Sequence, residues 1–148
     1  MFTNILIPTD GSELSIQVGQ RAIEMAKAFK ARVTAVLVSP TFKQLTDEGF
    51  VGPSMSVNKR EWEKGVAERA QRVLDVVAAA AKAAGIKCEP VHVYRDSPYV
   101  AIVDTAKKNG CDLIVMGSHG YGGFKQFLLG SETSRVLSHS KIPVLVYR

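Results

Sequence analysis

An open, doubly wound α/β sheet of five mainly parallel strands in the order 3-2-1-4-5, with helices on both faces, is the fold this sequence predicts. Three observations carry the prediction. Five short apolar runs are separated by segments that each hold a helical pattern. One of the runs, Leu113–Met116, is apolar without a break, as a parallel strand covered on both faces requires. The chain has 148 residues, 46% hydrophobic and 22% charged, which suits one globular domain over residues 1–148. A chain of this length buries roughly 70% of its unfolded surface and needs no metal or disulfide to fold.

The first run is Ile5-Leu6-Ile7. It stops at Pro8, because proline cannot donate to a central ladder. Asp10-Gly11-Ser12-Glu13 reads as a turn and helix start. Asp10 and Glu13 have the spacing of a capping box, and Ser12 is the alternative cap. From Leu14 to Phe29, the apolar residues Val18, Ala22, Met25, Ala26 and Phe29 recur at helical spacing. Arg32–Ser39 is short and β-branched, a second strand. Pro40 to Asn58 contains Pro40, Gly49, Gly52 and Pro53 and predicts a long loop. Loops of that length are uncommon unless functional or disordered, and a flap near the ligand is expected. A long helix follows from Lys59 to Ala84, with Gly85 as its stop. Lys87–Arg95 is a third strand, and Pro90 within it argues for an edge position. Ser97-Pro98 starts the next helix, serine as cap and proline in the first turn. That helix ends at Asn109-Gly110. Asp112–Gly117 is the fourth strand, Ser131–Ser140 the last helix and Ile142–Arg148 the fifth strand.

Sheets of this kind bind ligands at the carboxyl ends of the strands, where the strand order reverses. The first strand ends at Pro8-Thr9-Asp10 and the fourth at Met116-Gly117. Those ends lie side by side at the reversal, with Val38 nearby. Four glycines then fall within seven residues, Gly117 to Gly123, and Gly130-Ser131 follows before the last helix. Such a bend is either structural punctuation or a cradle for an anion. It is not a P-loop, because no Gly-Lys-Ser/Thr occurs. It is not the dinucleotide fingerprint either, because Lys125 stands where the third glycine belongs. Lacking Cβ atoms, Gly117, Gly120 and Gly130 allow backbone N–H groups to approach an anion closely. Ser131 adds a hydroxyl and an amide at a helix N-terminus, which carries about half a positive charge. Lys125 is available to add another.

The spacing Gly117, two residues, Gly120, nine residues, Gly130-Ser131 resembles that of the universal stress protein family. Its nucleotide-binding branch carries G-x2-G-x9-G-[ST] after the fourth strand. The opening "ILIPTDGS", the long loop after the second strand, "CDLIVMGSHG" and the terminal "IPVLVYR" extend the resemblance over the chain. It implies a Rossmann-like, ATP-binding domain, with or without Mg or Mn, that serves as a nucleotide-dependent regulatory or interaction module in the stress response. It implies that Asp10 accepts hydrogen bonds from ribose hydroxyls, as an ionised acid can. Pro8, Thr9 and Val38 would line the base and ribose pocket, and Met116 would supply apolar contact. Gly117, His119, Gly120, Gly130 and Ser131 would meet the phosphates. Glu132 stands where many relatives carry a small or apolar residue. Its carboxylate suits the helix dipole, and it is expected to point to solvent. The resemblance further implies a homodimer formed partly through the last strand, whose outer edge would otherwise present unpaired backbone. Two other readings remain open: slow ATP hydrolysis, which needs little beyond positioning, and a dimer that works without nucleotide. Related α/β transferases carry a His-x-x-His cluster after the first strand, where this chain has "TDGSE".

The formal charge of +5 is spread among interleaved acids and bases, as in Asn58–Arg72. With no aromatic stacking platform beside it, this argues for a solvated helix face and against nucleic acid. Cys88 and Cys111 are expected to be reduced thiols of a cytoplasmic protein. The apolar runs are too short to span a bilayer, and Met1–Asn4 leads straight into a strand, so no signal peptide is expected. The three histidines lie far apart in sequence, which argues against a zinc triad. Ser118 and His119 are adjacent, and side chains so placed are not expected to pair as nucleophile and base.

Overall fold

Alternation along the central strand places the core on both sides of one sheet. In β1 (Asn4–Pro8), Ile5 and Ile7 face one layer and Leu6 the other, and all three are fully buried. The computed structural model describes residues 1–49, 58–120 and 129–148. After β1 come α1 (Glu13–Phe29), β2 (Arg32–Ser39), α2 (Phe42–Asp47), α3 (Lys59–Ala83) and β3 (Cys88–Tyr94). They are followed by α4 (Pro98–Lys108), β4 (Leu113–Gly117), α5 (Ser131–His139) and β5 (Val144–Tyr147). The sheet order is β3-β2-β1-β4-β5 and every pair is parallel. This is the order the sequence predicts.

Helices α1 and α3 cover one face. Val18, Ala22 and Ala26 of α1 and Leu74, Val77 and Ala81 of α3 pack there on Ile5, Ile7, Val33, Ala35 and Leu37. On the other face, Ile102, Val103 and Ala106 of α4 and Val136 of α5 meet Leu6, Val36, Ile114 and Met116. Proline 90 sits in β3, an edge strand, where a missing donor does no damage.

The helix ends settle what the sequence left open. Of the two candidate caps of α1, Ser12 is the one used: its side chain accepts from the Ser15 amide at 3.2 Å. Helix α5 starts at Ser131, as expected, with Gly130 as its N-cap. Ser97 occupies the N-cap of α4 but makes no side-chain capping bond. Part of the expected long loop is helical. Thr41 caps α2 through the Gln44 amide and is itself held by Asp96, at 2.6 Å through its hydroxyl. Phe42 packs edge-on against Trp62 of α3, ring centroids 5.5 Å apart. Residues 50–57 of that loop, and with them that part of the expected flap, lie outside the described residues.

Both cysteines are free, Cys111 buried and Cys88 half-buried. Burial pushes both thiols up from their ordinary range, so at neutral pH they stay protonated and act as packing groups.

Asp112 ties the start of the chain to the start of β4. Its carboxylate accepts from the Thr3 amide at 2.8 Å, the Thr3 hydroxyl at 2.7 Å and the Asn4 amide at 3.0 Å. Burial pushes its carboxyl up, but these hydrogen bonds outweigh that and hold it below the usual carboxylate range. A depressed folded value stabilises above the unfolded pKa, and the contribution is lost as pH falls through the folded one. Asp112→Asn is therefore expected to lower the melting temperature at neutral pH, with the gap to wild type closing below about pH 4. Thermal melts at stepped pH test this; a gap that does not change with pH would contradict it.

Candidate functional site

Strands β1 and β4 are paired only at Ile5↔Leu113 and Leu6↔Ile114. Beyond those positions each strand continues with its outer neighbour alone. β1 keeps pairing with β2 as far as Pro8↔Val36, and β4 keeps pairing with β5 as far as Gly117↔Tyr147. The two central strands therefore part at their carboxyl ends, and a crevice opens between them, where the strand order reverses. It holds a cavity of about 580 Å³, within the size range of small-molecule and cofactor sites.

The β1 lip is built by local bonds. The Thr9 amide donates to the Val36 carbonyl at 2.9 Å, which carries the ladder one residue past Pro8. Asp10 Oδ1 accepts from the Ser12 amide at 2.9 Å and closes an Asx turn. Arg69 of α3 donates to the Asp10 carbonyl at 3.1 Å. Gly11 between them has φ +80°, and a Cβ there would lie 2.8 Å from Val73 Cγ2. These bonds aim the Asp10 side chain into the crevice, whose wall it forms.

The β4 lip is tied to the start of α5. The Gly130 amide donates to the Ser118 carbonyl at 2.6 Å, and Thr133 Oγ1 donates to the Gly117 carbonyl at 2.9 Å. The Gly130 amide thus points at its own chain, contrary to the expectation that it meets an anion. The first helical bond of α5 runs from the Ser134 amide to the Gly130 carbonyl. The amides of Ser131, Glu132 and Thr133 come before it and open the positive end of the helix.

None of the three motif glycines has a positive φ. What they permit is close approach. A Cβ on Gly120 would collide with Asp10 Oδ2. One on Gly130 would lie 3.0 Å from the Ser118 carbonyl oxygen and 3.1 Å from His119 Cα. One on Gly117 would crowd Leu14 and the His119 carbonyl. The spacing lets three chain segments meet around one hollow.

All eleven residues singled out from the sequence, Pro8, Thr9 and Asp10 through Ser131 and Glu132, line this cavity. Sequence reasoning missed Val36 beside Val38, and Pro98 and Ile102 at the start of α4. Their signal was topological, since α4 also begins at the carboxyl edge of the sheet. Val36, Val38, Pro98, Ile102 and Met116 make an apolar slot at one side. Asp10, His119, Gly120 and Ser131 make a polar one.

Glu132 does not simply face solvent, as expected. It lines the cavity, and its Oε2 accepts from the Tyr99 amide at 2.9 Å, in the first turn of α4. It thereby does the capping that Ser97 does not. Ser118 and His119 do meet, Oγ to Nδ1 at 3.0 Å, but Ser118 is 7% exposed and is not among the cavity's walls. The bond orients the His119 ring. His92 bonds Ser39 on β2, and His139 packs on Tyr99; burial lowers the His92 pKa from its ordinary value. Among the described residues no group of three or more His, Cys, Asp or Glu is gathered to hold a metal, and no helix is long and apolar enough to cross a membrane.

The pattern of the universal stress protein family matches residues 1–148. The chain belongs to the universal stress protein family. Universal stress protein MJ0531 of Methanocaldococcus jannaschii is 36% identical over 154 residues, covering 100% of this chain and 83% of that protein. Universal stress protein YxiE of Bacillus subtilis is 30% identical, covering 100% of both. The solved structure of MJ0577, also from Methanocaldococcus jannaschii, has a TM-score of 0.77 at 31% identity and covers 99% of this chain and 95% of that one. A universal stress protein solved in complex with cAMP has a TM-score of 0.70 at 26% identity and covers 99% and 97%.

Gly11→Ala is expected to destabilise the fold by roughly 1–2 kcal/mol from the left-handed backbone alone. Crowding at Val73 adds to that loss. Denaturant melts of the variant measure it; wild-type stability would show that the turn relaxes freely.

Proposed function

We propose that this universal stress protein binds an adenine nucleotide, ATP among them, in the crevice between β1 and β4, and works as a nucleotide-dependent regulatory or interaction module in the stress response. One observation carries the reading: an apolar slot, a fixed carboxylate and the N-terminus of α5 share a single cavity. The slot suits the flat base, Asp10 the ribose hydroxyls, and the amides of Ser131 to Thr133 the phosphate. The cAMP complex of a relative supports a ligand of this class. Pro8, Thr9 and Val38 would flank base and ribose, with Met116 beneath. Gly117, His119, Gly120 and Gly130 would shape the phosphate end. If Mg or Mn accompanies a polyphosphate, it comes with the phosphates rather than to a prebuilt protein cage.

The chain is further proposed to work in the cytoplasm as a homodimer through β5. This strand is the sheet edge, and Leu145 on it is 36% exposed. Its outer backbone edge suits pairing with a second copy.

Titration calorimetry with AMP, ADP and ATP tests the nucleotide reading. Binding with a dissociation constant below about 1 mM, weakened at least about tenfold by Asp10→Ala, is expected; tenfold corresponds to about 1.4 kcal/mol. No heat at millimolar nucleotide would overturn it. For assembly, sedimentation is expected to show a dimer that Leu145→Glu converts to monomer; a wild-type monomer at high concentration would contradict the β5 interface.

A further inference from the structure

We infer that the crevice sorts adenine nucleotides by phosphate charge, with Glu132 as the residue that disfavours a triphosphate relative to a monophosphate. The inference rests on the nucleotide reading above and concerns which nucleotide that site prefers.

The charges on the cavity walls are uneven. Among the described residues that line it, Asp10 and Glu132 are carboxylates and none is lysine or arginine. Lys125 lies outside the described residues. Arg69 reaches the β1 lip, at the Asp10 carbonyl, but is not among those walls. Among the described lining residues, the favourable charge for an anion is the partial charge at the start of α5, about half a unit. Each further phosphoryl group adds negative charge, and Glu132 lies in the first turn of the same helix.

Glu132 is held in place rather than free to swing away. Its Oε2 is fixed by the Tyr99 amide and its Oε1 by Arg135 at 2.8 Å, and its side chain is 34% exposed. The counter-charge sits on the outside. Arg135 is 56% exposed, lies 5.8 Å over the Tyr99 ring and does not line the cavity. A ligand in the crevice thus meets the carboxylate with the guanidinium beyond it. Like charges at short range in a partly enclosed site are screened less than at an open surface.

Two variants separate this charge effect from the capping role. Glu132→Gln keeps an oxygen for the Tyr99 amide and removes the charge. Arg135→Gln removes the outer counter-charge and leaves the carboxylate. Dissociation constants for AMP and ATP are measured by calorimetry in EDTA-containing, low-salt buffer. The ratio of the ATP constant to the AMP constant is expected to fall about tenfold in Glu132→Gln and to rise in Arg135→Gln, since both changes act through Coulomb energy. Adding salt is expected to shrink both effects. A ratio unchanged in Glu132→Gln, with AMP and ATP shifting in proportion, would overturn the inference while leaving nucleotide binding intact. Failure of wild type to bind either nucleotide would overturn the functional reading itself, and this one with it.

Discussion

Two residue pairs hold the centre of this protein together, Ile5 with Leu113 and Leu6 with Ile114, and the parting of the strands beyond them makes the site. Below that point the sheet is continuous and buried on both faces. Above it, β1 pairs with β2 and β4 with β5. The backbone groups released there must be satisfied. On one side the Thr9 amide and an Asx turn at Asp10 do this. On the other, Ser118 and Gly117 give their carbonyls to the start of α5. The hollow is therefore a consequence of strand order, and its walls are the means by which two strand ends finish their hydrogen bonding.

The glycine motif takes on a double meaning in this light. Its absent Cβ atoms face protein neighbours, Asp10 for Gly120 and the Ser118–His119 backbone for Gly130. A larger residue would push the lips apart before it touched any ligand. Close approach is also what brings the Asp10 carboxylate, the His119 ring and the α5 N-terminus within one small volume. Structural punctuation and anion cradle, the two readings of the glycine-rich bend, are thus compatible. The same tightness explains why Glu132 is recruited to cap α4: the starts of the two helices converge on the crevice, and a carboxylate on one can reach an amide on the other.

Much of the fold was legible because burial leaves a mark on sequence. Ile5–Ile7 and Leu113–Met116 at the centre are apolar without a break, Pro90 flagged an edge, and Gly85 marked a helix end. The residues lining the crevice were legible because topology puts the ends of the first and fourth strands together, whatever their side chains. What escaped was held by distant partners. Helix α2 depends on Trp62 and Asp96, 20 and 55 positions from their contacts Phe42 and Thr41, and no local pattern encodes that. The inward turn of the Gly130 amide, the bond between Ser118 and His119 and the capping of α4 by Glu132 are likewise outcomes of packing. Pro98 and Ile102 were missed because Ser97-Pro98 had a sufficient local explanation as a helix start.

The most direct measurement is a crystal structure of the protein grown with AMP. The expected result is density between the lips, the base in the slot of Val38, Ile102 and Met116, the ribose against Asp10 and the phosphate at the amides of Ser131 to Thr133. A crevice without ligand density at saturating AMP, or AMP bound elsewhere on the molecule, would contradict the account.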